Sequence, residues 1–370
     1  MGDLYVPDKK GNTGQKIVTA VGRIIVSLFI PIVTFAVLWA GFIFLRDSGA
    51  SQLIITVVAI IWGVGGVAAL FILSNFTIQR LPVHWRKRFV PFLFVGPALI
   101  ILGYYLFLPA IRSFYMSFMG KFSKDFVGLA NYKYIFTDRT MRLAFLNNLE
   151  WLILGTSLSL IFGLLFALLS EKSRFEKLAK SLIFLPMAIS FVGAGVIWKF
   201  IYAFRPAGEA QIGLLNALVT ALGGSPVNWI VLRPWNTIFL IVILVWLQTG
   251  YAMVILSAAI KGVPVTLKEA ARIDGASEWR IVFQIIIPSI KGSLVTVGTT
   301  ILIVTLKVFD IVYAMTNGLF GTEVLASQQY KQMFKFLNYG RGSAIAIVIL
   351  IAVIPVMWYN LKQFGKREVF

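Results

Sequence analysis

The chain of 370 residues is 59% hydrophobic and 13% charged, and its formal net charge is +19. A soluble domain carries about 25% charged residues, so this composition is typical of a polytopic membrane protein. The absence of cysteine and the single histidine, His84, exclude disulfide frameworks, thiolate metal sites and histidine metal clusters.

A polar tail at residues 1–16 is followed by eight apolar segments. Each has about 18 to 24 residues, the length that a helix needs to cross about 30 Å of hydrocarbon. In chain order they are Ile24–Leu45, Gln52–Asn75, Phe89–Ile111, Trp151–Ser170, Ser181–Trp198, Thr237–Ile260, Gly292–Ala314 and Gly342–Leu361. They lack the alternation of membrane β-strands, so the sequence predicts an all-α polytopic membrane protein with about eight transmembrane helices.

Basic residues predict the orientation of these spans. With the N-terminus inside, the inner segments hold 20 of the 34 basic residues and the longer outer segments hold 13. This distribution satisfies the positive-inside rule with both termini cytoplasmic. Most of the positive charge is then explained by the orientation of the spans in the membrane. It therefore does not indicate nucleic-acid binding. The first span is too long, and lacks a small-residue cleavage site, to be a removed signal peptide.

We divide the chain into three parts on these patterns. Residues 1–16 form the polar tail, and residues 17–80 hold two accessory N-terminal transmembrane helices. Residues 81–370 begin with a basic linker and contain a six-helix membrane core. A polar loop at residues 262–288 interrupts this core between its sixth and seventh predicted spans.

The 262–288 loop has the pattern of a compact helix–turn–helix. Pro264 disfavours helix before it, and Thr266 with Glu269 fits a capping box. Gly275 is placed to end this helix in the left-handed conformation. No lipid-facing segment needs such a loop. Two interpretations stay open at this point, an ordinary capped loop helix and a contact site for a soluble partner.

Further residues of the loop fit the same pattern. Ala270 and Ala271 are strong helix formers without a side chain that would obstruct close docking. Ser277 is a candidate N-cap for a second short helix, and Pro288 suits the first turn of the seventh span.

Polar side chains in the sixth and seventh spans are candidates for a substrate path, because such residues are costly in lipid. They are Gln248, Tyr251, Thr305, Lys307 and Asp310. The first three offer the hydrogen-bonding groups and aromatic face that a sugar needs, with a helix–helix hydrogen bond as the alternative for each. Lys307 and Asp310 are three positions apart, which predicts that they share one helix face and can pair.

Other function classes need residues that are scarce in this sequence. An ion-coupled secondary transporter needs carboxylates at the membrane midplane, whereas the acidic candidates Glu150 and Asp310 lie near its edge. A membrane-embedded enzyme needs clustered His, Asp, Glu or Cys, so we assign no catalytic or metal-binding residue. The sequence also lacks the Gly-x-x-x-x-Gly-Lys-Ser/Thr phosphate loop, so the usual P-loop nucleotide site is excluded.

Several motifs resemble the permease subunits of ATP-binding-cassette importers. The pieces Glu269-Ala-Ala, Asp274-Gly275-Ala and Ile287-Pro288 match the EAA loop of that family. Motifs similar to those of maltose-type sugar permeases are Phe94-Val-Gly-Pro-Ala98, Leu108-Pro109, Phe126-Val-Gly-Leu-Ala-Asn-Tyr132, Phe184-Leu-Pro-Met187, Val308-Phe-Asp-Ile-Val-Tyr-Ala-Met-Thr-Asn-Gly318 and Tyr339-Gly-Arg-Gly-Ser-Ala344. In order, these motifs cover roughly residues 88–365.

The resemblance implies a permease core that pairs with a second permease subunit and two ATPase subunits. ATP and magnesium would bind to those ATPase subunits, and this chain would hold no cofactor of its own. An extracytoplasmic solute-binding protein would dock above, in the plasma (inner) membrane of a prokaryote. The eight-span form is similar to the larger maltose-type subunit, although the loop between the third and fourth spans is much shorter here.

The resemblance also implies roles for individual residues. Glu269, Ala270, Ala271, Asp274, Gly275 and Pro288 would form the loop that couples to an ATPase subunit. Tyr251 and Thr305 fall at or near sugar-contacting positions of the family. The implied function is import of a sugar, with an oligosaccharide or glucoside as the leading substrate. A glycerol-phosphate-type substrate and an ion-coupled secondary transporter are the alternatives.

Overall fold

A computed structural model describes residues 32–79, 83–171 and 173–365. Within these ranges the chain forms α-helices with short π-helical and 3₁₀ turns, and its β structure is one isolated bridge between Met119 and Phe126. This confirms the predicted all-α fold. The chain divides into two compact units, Met1–Ala110 and Ile111–Phe370. The boundary at residue 80 stays a prediction, and the 1–16 tail lies outside the described residues.

The first unit contains α1 at residues 32–47, α2 at Gln52–Gln79 and α3 at Val83–Leu102. At 1.5 Å per residue α2 is about 42 Å long, which is sufficient to span the hydrocarbon. Large apolar side chains of these helices are exposed, and Val64 and Ile100 are each 71% exposed. Helices that are apolar on all sides suit a lipid environment.

Fifteen further helices follow in the described part of the chain. In chain order they are α4 (Leu108–Met116), α5 (Ala130–Thr137), α6 (Arg139–Glu150), α7 (Thr156–Glu171), α8 (Glu176–Phe184), α9 (Phe191–Ile201), α10 (Leu214–Ala221), α11 (Asn236–Lys261), α12 (Val265–Ile273), α13 (Glu278–Ile281), α14 (Ile287–Ser289), α15 (Lys291–Leu306), α16 (Asp310–Met315), α17 (Leu325–Tyr330) and α18 (Tyr339–Gly365). The π-helical turns are Gly103–Phe107, Trp151–Gly155, Val282–Ile286 and Lys331–Lys335, and the 3₁₀ turns are Leu185–Ala188 and Leu319–Gly321.

Helix α11 is the centre of the second unit. Its 26 residues extend over about 39 Å. Gly163 of α7 lets α11 approach closely, because a Cβ at Gly163 would lie 2.3 Å from the Cβ of Ala252. Gly250 has the same effect toward α8, since a Cβ there would lie 2.5 Å from the carbonyl oxygen of Ile183. Small residues at helix crossings are what allow such close packing in membranes.

Two apolar clusters lie along α11. The first half of the helix, including Leu240 and Leu244, packs with residues of α9 and α16. The second half, including Leu256 and Ile260, packs with residues of α7, α13 and α15. A third cluster joins α5, α6 and α18. Helix α11 therefore connects the surroundings of the Lys307 segment with the core beneath the 262–288 loop.

Seven of the eight predicted spans correspond to membrane-length helical segments or bent helix pairs within the described residues. The segments that are not bent pairs are Gln52–Gln79, Phe94–Met116, Arg139–Glu171, Asn236–Lys261 and Tyr339–Lys362. The first predicted span begins at Ile24, so the structure describes only its later part, in α1.

The fifth and seventh predicted spans are broken, and the expectation of one continuous helix for each was wrong. The segments Glu176–Ala188 and Phe191–Ile201 meet at 104°. Ser190 starts α9 there, because its Oγ accepts a hydrogen bond from the Gly193 N–H at 3.0 Å. The seventh predicted span, Gly292–Ala314, is interrupted between Leu306, where α15 ends, and Asp310, where α16 begins. A 73° bend between the segments Glu278–Ser289 and Lys291–Leu306 lies just before this span.

Candidate functional site: the 262–288 loop and the Lys307 cavity

Helix α12, the first helix of the loop, begins earlier than the capping-box prediction requires. It starts at Val265, with Pro264 as the N-cap residue and without a side-chain cap. Thr266 lies inside the first turn, so the predicted capping box of Thr266 with Glu269 is wrong. The fixed φ of Pro264, −51°, with a ψ of 129°, makes the transition into the helix two residues earlier than a Thr266 N-cap would.

The C-terminus of α12 is a Schellman motif. Gly275 has a φ of +79°, which confirms the predicted left-handed conformation. The Ala276 N–H donates to the Ala271 carbonyl at 2.9 Å, and the Gly275 N–H donates to the Arg272 carbonyl at 3.1 Å. These two bonds satisfy carbonyl groups that the end of a helix leaves unpaired, and they reverse the chain in a tight turn.

Ser277 begins the second arm of the loop, as predicted. Its Oγ accepts a hydrogen bond from the Arg280 N–H at 3.4 Å, at the N-terminus of α13. Arg272 Nε of the first arm donates to Glu278 Oε1 of the second arm at 2.8 Å. The Glu278 carboxylate raises the pKa of Arg272 through this hydrogen bond. Both side chains are half exposed, so the pair mainly orients the two arms.

The loop has an anchored face and an exposed face. Ala271 and Ala276 pack against the apolar cluster at the second half of α11. The exposed residues between Glu269 and Gly275 are Glu269, Ala270, Arg272, Ile273, Asp274 and Gly275. Ile273 is 86% exposed, and a Cβ at Gly275 would meet no heavy atom within 4 Å. The loop therefore presents small, apolar and charged side chains on a rigid support, which suits close contact with another protein.

Pro288 lies before the seventh span and not in its first turn, so that prediction was wrong. It belongs to α14, which ends at Ser289. Ile290, with φ −96° and ψ 10°, separates α14 from α15, which begins at Lys291. The 73° bend falls between these helices. Pro288 is therefore part of the second arm of the loop.

A π-helical turn accommodates this proline. The Ile287 N–H donates to the Val282 carbonyl, five residues earlier. The widened turn makes room for the ring of Pro288, which lacks an N–H and would crowd the preceding turn of a regular α-helix. The Leu108-Pro109 motif has the same arrangement, because the Leu108 N–H donates to the Gly103 carbonyl.

Three of the predicted substrate-path residues are packed between helices. Gln248 is buried in α11, and Tyr251 is partly buried against the apolar cluster there. Thr305 is fully buried, and its Oγ1 donates to the Ile301 carbonyl of the same helix at 2.8 Å. A Cβ at Gly155 would lie 3.6 Å from the Thr305 methyl group, which places Thr305 at a helix contact. A role in a substrate path stays a prediction for all three.

Lys307 and Asp310 are not on one helix, which corrects the prediction from their spacing. Helix α15 ends at Leu306, Lys307 has φ −107° and ψ 26°, and α16 begins at Asp310. The freed carbonyl of Leu306 accepts a hydrogen bond from Asn148 Nδ2 of α6 at 3.2 Å. This distant partner allows the helix to end inside an apolar segment. In the described structure Lys307 and Asp310 form no ion pair with each other.

The two charged residues nevertheless line one cavity of about 170 Å³. Its other lining residues are Phe191, Leu244, Val304, Val308, Phe309 and Ile311. The sequence did not single out Phe191 and Phe309, because the cavity exists only where the breaks before α9 and before α16 meet. Opposite charges beside two aromatic rings can hold a polar ligand that also has an apolar face.

A core of membrane-length helices, a loop anchored on one face and exposed on the other, and a cavity with two charged residues are together typical of a membrane transport subunit. Residues 159–361 match the family model of the binding-protein-dependent transport system inner membrane component. The match covers more than half of the chain, so the chain belongs to this family. This confirms the resemblance to permease subunits that the loop motifs indicated.

Named relatives agree with this assignment. The osmoprotective compounds uptake permease protein GgtC of Synechocystis sp. is 55% identical over 276 residues, which are 75% of this chain and 99% of GgtC. The alpha-glucoside transport system permease protein AglF of Rhizobium meliloti is 51% identical over 279 residues, which are 75% of this chain and 83% of AglF.

Among solved structures, the fold is similar to a chain of a bacterial alginate ABC transporter in complex with an alginate pentasaccharide-bound periplasmic protein. The TM-score is 0.65 at 19% identity, and the match covers 74% of this chain and 93% of that chain. A second structure of a bacterial ABC transporter, involved in the import of the acidic polysaccharide alginate, matches with a TM-score of 0.61 at 19% identity and covers 77% and 97% of the two chains. At this identity the likeness concerns the fold alone.

Proposed function

We propose that this chain forms the translocation path of an ATP-driven importer for a sugar, with an oligosaccharide or glucoside as the substrate class. The observation that carries the proposal is the 51% identity with a permease protein of an alpha-glucoside transport system across 75% of this chain. The cavity at Lys307, with charged groups beside the rings of Phe191 and Phe309, is chemically suited to a sugar.

In this proposal, the 262–288 loop transmits the conformational change of an ATPase subunit to the membrane core. Two partner ATPase subunits bind ATP and magnesium, and one of them receives the exposed surface around Glu269–Gly275. The loop suits this role because its inner face is packed on the core while Ile273 and Gly275 point outward. A second permease subunit and an extracytoplasmic solute-binding protein complete the assembly, in the plasma (inner) membrane of a prokaryote with both termini cytoplasmic.

The test is transport by the complete assembly. The tagged chain is purified with its partner subunits, reconstituted into vesicles, and assayed with radiolabelled maltose, maltotriose and trehalose, with and without ATP. We expect uptake of at least one of these sugars that needs ATP and persists when ionophores dissipate ion gradients. Uptake that continues without ATP and stops with ionophores would instead establish an ion-coupled secondary transporter.

A further inference from the structure

Four aromatic rings outside the 262–288 loop form a continuous chain of contacts. Ring centroids are 5.1 Å apart for Phe309 and Tyr313, 5.2 Å for Phe309 and Tyr330, and 5.3 Å for Tyr330 and Phe334. The rings come from the break before α16, from α16, from the end of α17 and from the following π-turn. We call these four residues the aromatic track.

The aromatic track runs from one cavity to another. Phe309 lines the 170 Å³ cavity that contains Lys307 and Asp310. The other three rings line a second cavity of about 100 Å³. The residues that line this second cavity are Tyr313, Asn317, Tyr330, Lys331, Phe334 and Lys335.

Two rings of the track present accessible faces beside the second cavity. Tyr313 is 42% exposed and Phe334 is 62% exposed, and both line that cavity. The tyrosine hydroxyl groups and the Asn317 amide can donate and accept hydrogen bonds at the edges of the rings. Ring surface with a few convergent polar groups is the usual composition of a small-molecule site.

Glu323 compensates one of the two lysines that line the second cavity and helps to fix its geometry. Its carboxylate is 4% exposed and forms an ion pair with Lys331. It also accepts hydrogen bonds from Ser327 Oγ and Gln328 Nε2, both at 2.9 Å. The charge of Lys331 is therefore compensated beside the cavity. The π-turn that carries Phe334 is held against α17, so the rings are positioned before a ligand arrives.

We propose that the aromatic track is a second carbohydrate subsite, which binds a pyranose ring of a neutral sugar and passes it to the Lys307 cavity. The inference rests on sugar import as the proposed function and adds to it a binding site outside the Lys307 cavity. The apolar face of the sugar lies on Tyr313 and Phe334, and its hydroxyl groups pair with Asn317 and Tyr330.

The first test compares two exposed phenylalanines near the same turn. Phe334→Leu removes a ring of the track, while Phe336→Leu removes a 53% exposed ring that is not part of it. In the reconstituted complete assembly we expect Phe334→Leu to raise the half-saturating maltotriose concentration about tenfold at an unchanged assembly yield. We expect Phe336→Leu to behave like the unmodified protein. Equal effects of the two substitutions would overturn the proposal.

The second test separates ring stacking from the hydroxyl group of Tyr330. Tyr330→Phe keeps the ring, and Tyr330→Leu removes it. Stacking predicts that the half-saturating concentration of maltotriose rises more for Tyr330→Leu than for Tyr330→Phe. Unchanged concentration dependence in Phe334→Leu and Tyr330→Leu, in an assembly that transports sugar, would refute the track alone. An unmodified assembly that transports none of the three sugars would refute the proposed function as well.

Discussion

Substitution of Gly275 tests whether the exposed face of the loop contacts an ATPase subunit. The residue has a φ of +79°, and a Cβ added to it would find no heavy atom within 4 Å. Within this chain, the only free-energy cost of Gly275→Asp is therefore that of placing a non-glycine residue in the left-handed backbone conformation. This cost is about 1–2 kcal/mol for most residues and lower for Asp, whose short polar side chain hydrogen-bonds locally. Folding and membrane insertion should tolerate it.

Gly223 provides a matched control. It has a φ of +83°, and a Cβ added there would also meet no heavy atom within 4 Å. The backbone strain caused by Gly223→Asp is therefore close to that caused by Gly275→Asp. The two substitutions differ in location, because Gly223 lies outside the 262–288 loop. Any additional loss in Gly275→Asp reports a contact outside the chain.

The assay is sugar-stimulated ATPase activity and uptake by the purified, reconstituted assembly. We expect Gly275→Asp to reduce both at least about tenfold, which corresponds to about 1.4 kcal/mol of lost docking or coupling, at a near-normal yield of the permease chain. Gly223→Asp should retain both activities. Full sugar-stimulated ATPase activity in Gly275→Asp, or an equal loss in Gly223→Asp, would refute a coupling role of the loop.

The remaining predictions concern packing and the cavity. Glu323→Ala leaves the largely buried Lys331 without its ion-pair partner, and we expect a loss of about 3–5 kcal/mol that lowers the thermal unfolding midpoint more than Glu323→Gln does; equal midpoints would contradict this. Gly163→Leu forces α7 and α11 apart and should destabilise the detergent-purified chain more than Gly163→Ala, and a normal midpoint for Leu would count against the close crossing. Thr305→Val should leave the half-saturating sugar concentration within about twofold, because the Thr305 hydroxyl donates to its own helix. Asp310→Asn should change this concentration about tenfold, because Asp310 lines the cavity. A larger effect of Thr305→Val than of Asp310→Asn would place the sugar at Thr305 and not in the cavity.

Local patterns predicted what depends on local forces. Apolar segment length located α2, α11 and α18, because a helix must satisfy its own backbone when it crosses lipid. Gly275 was predicted in the left-handed conformation, since glycine adopts it without a steric penalty. Ser277 was predicted as an N-cap from its side chain alone.

The features that the sequence did not reveal depend on distant residues. The helix ends at Leu306 because Asn148, from another helix, binds the freed carbonyl, and neither proline nor glycine marks that position. Glu323 is buried by its partners Lys331, Ser327 and Gln328, although an acidic residue in a loop is usually exposed. The Lys307 cavity arises where two breaks meet in space, so no spacing along one helix predicts it.

The continuity of the helices restricts how the loop can act on the cavity. Helix α15 leaves the loop through the 73° bend at Ile290 and ends before Lys307, so displacement along its axis is interrupted at both ends. Helix α11 has no such break between Asn236 and Lys261, and its first half packs with α9 and α16, which flank the cavity. Close contacts at Gly163 and Gly250 leave little room for sliding, because packed interfaces shift between discrete arrangements and do not deform continuously. In the importer proposed above, α11 would therefore link the loop to the cavity as one rigid body with the close-packed helices α7 and α8.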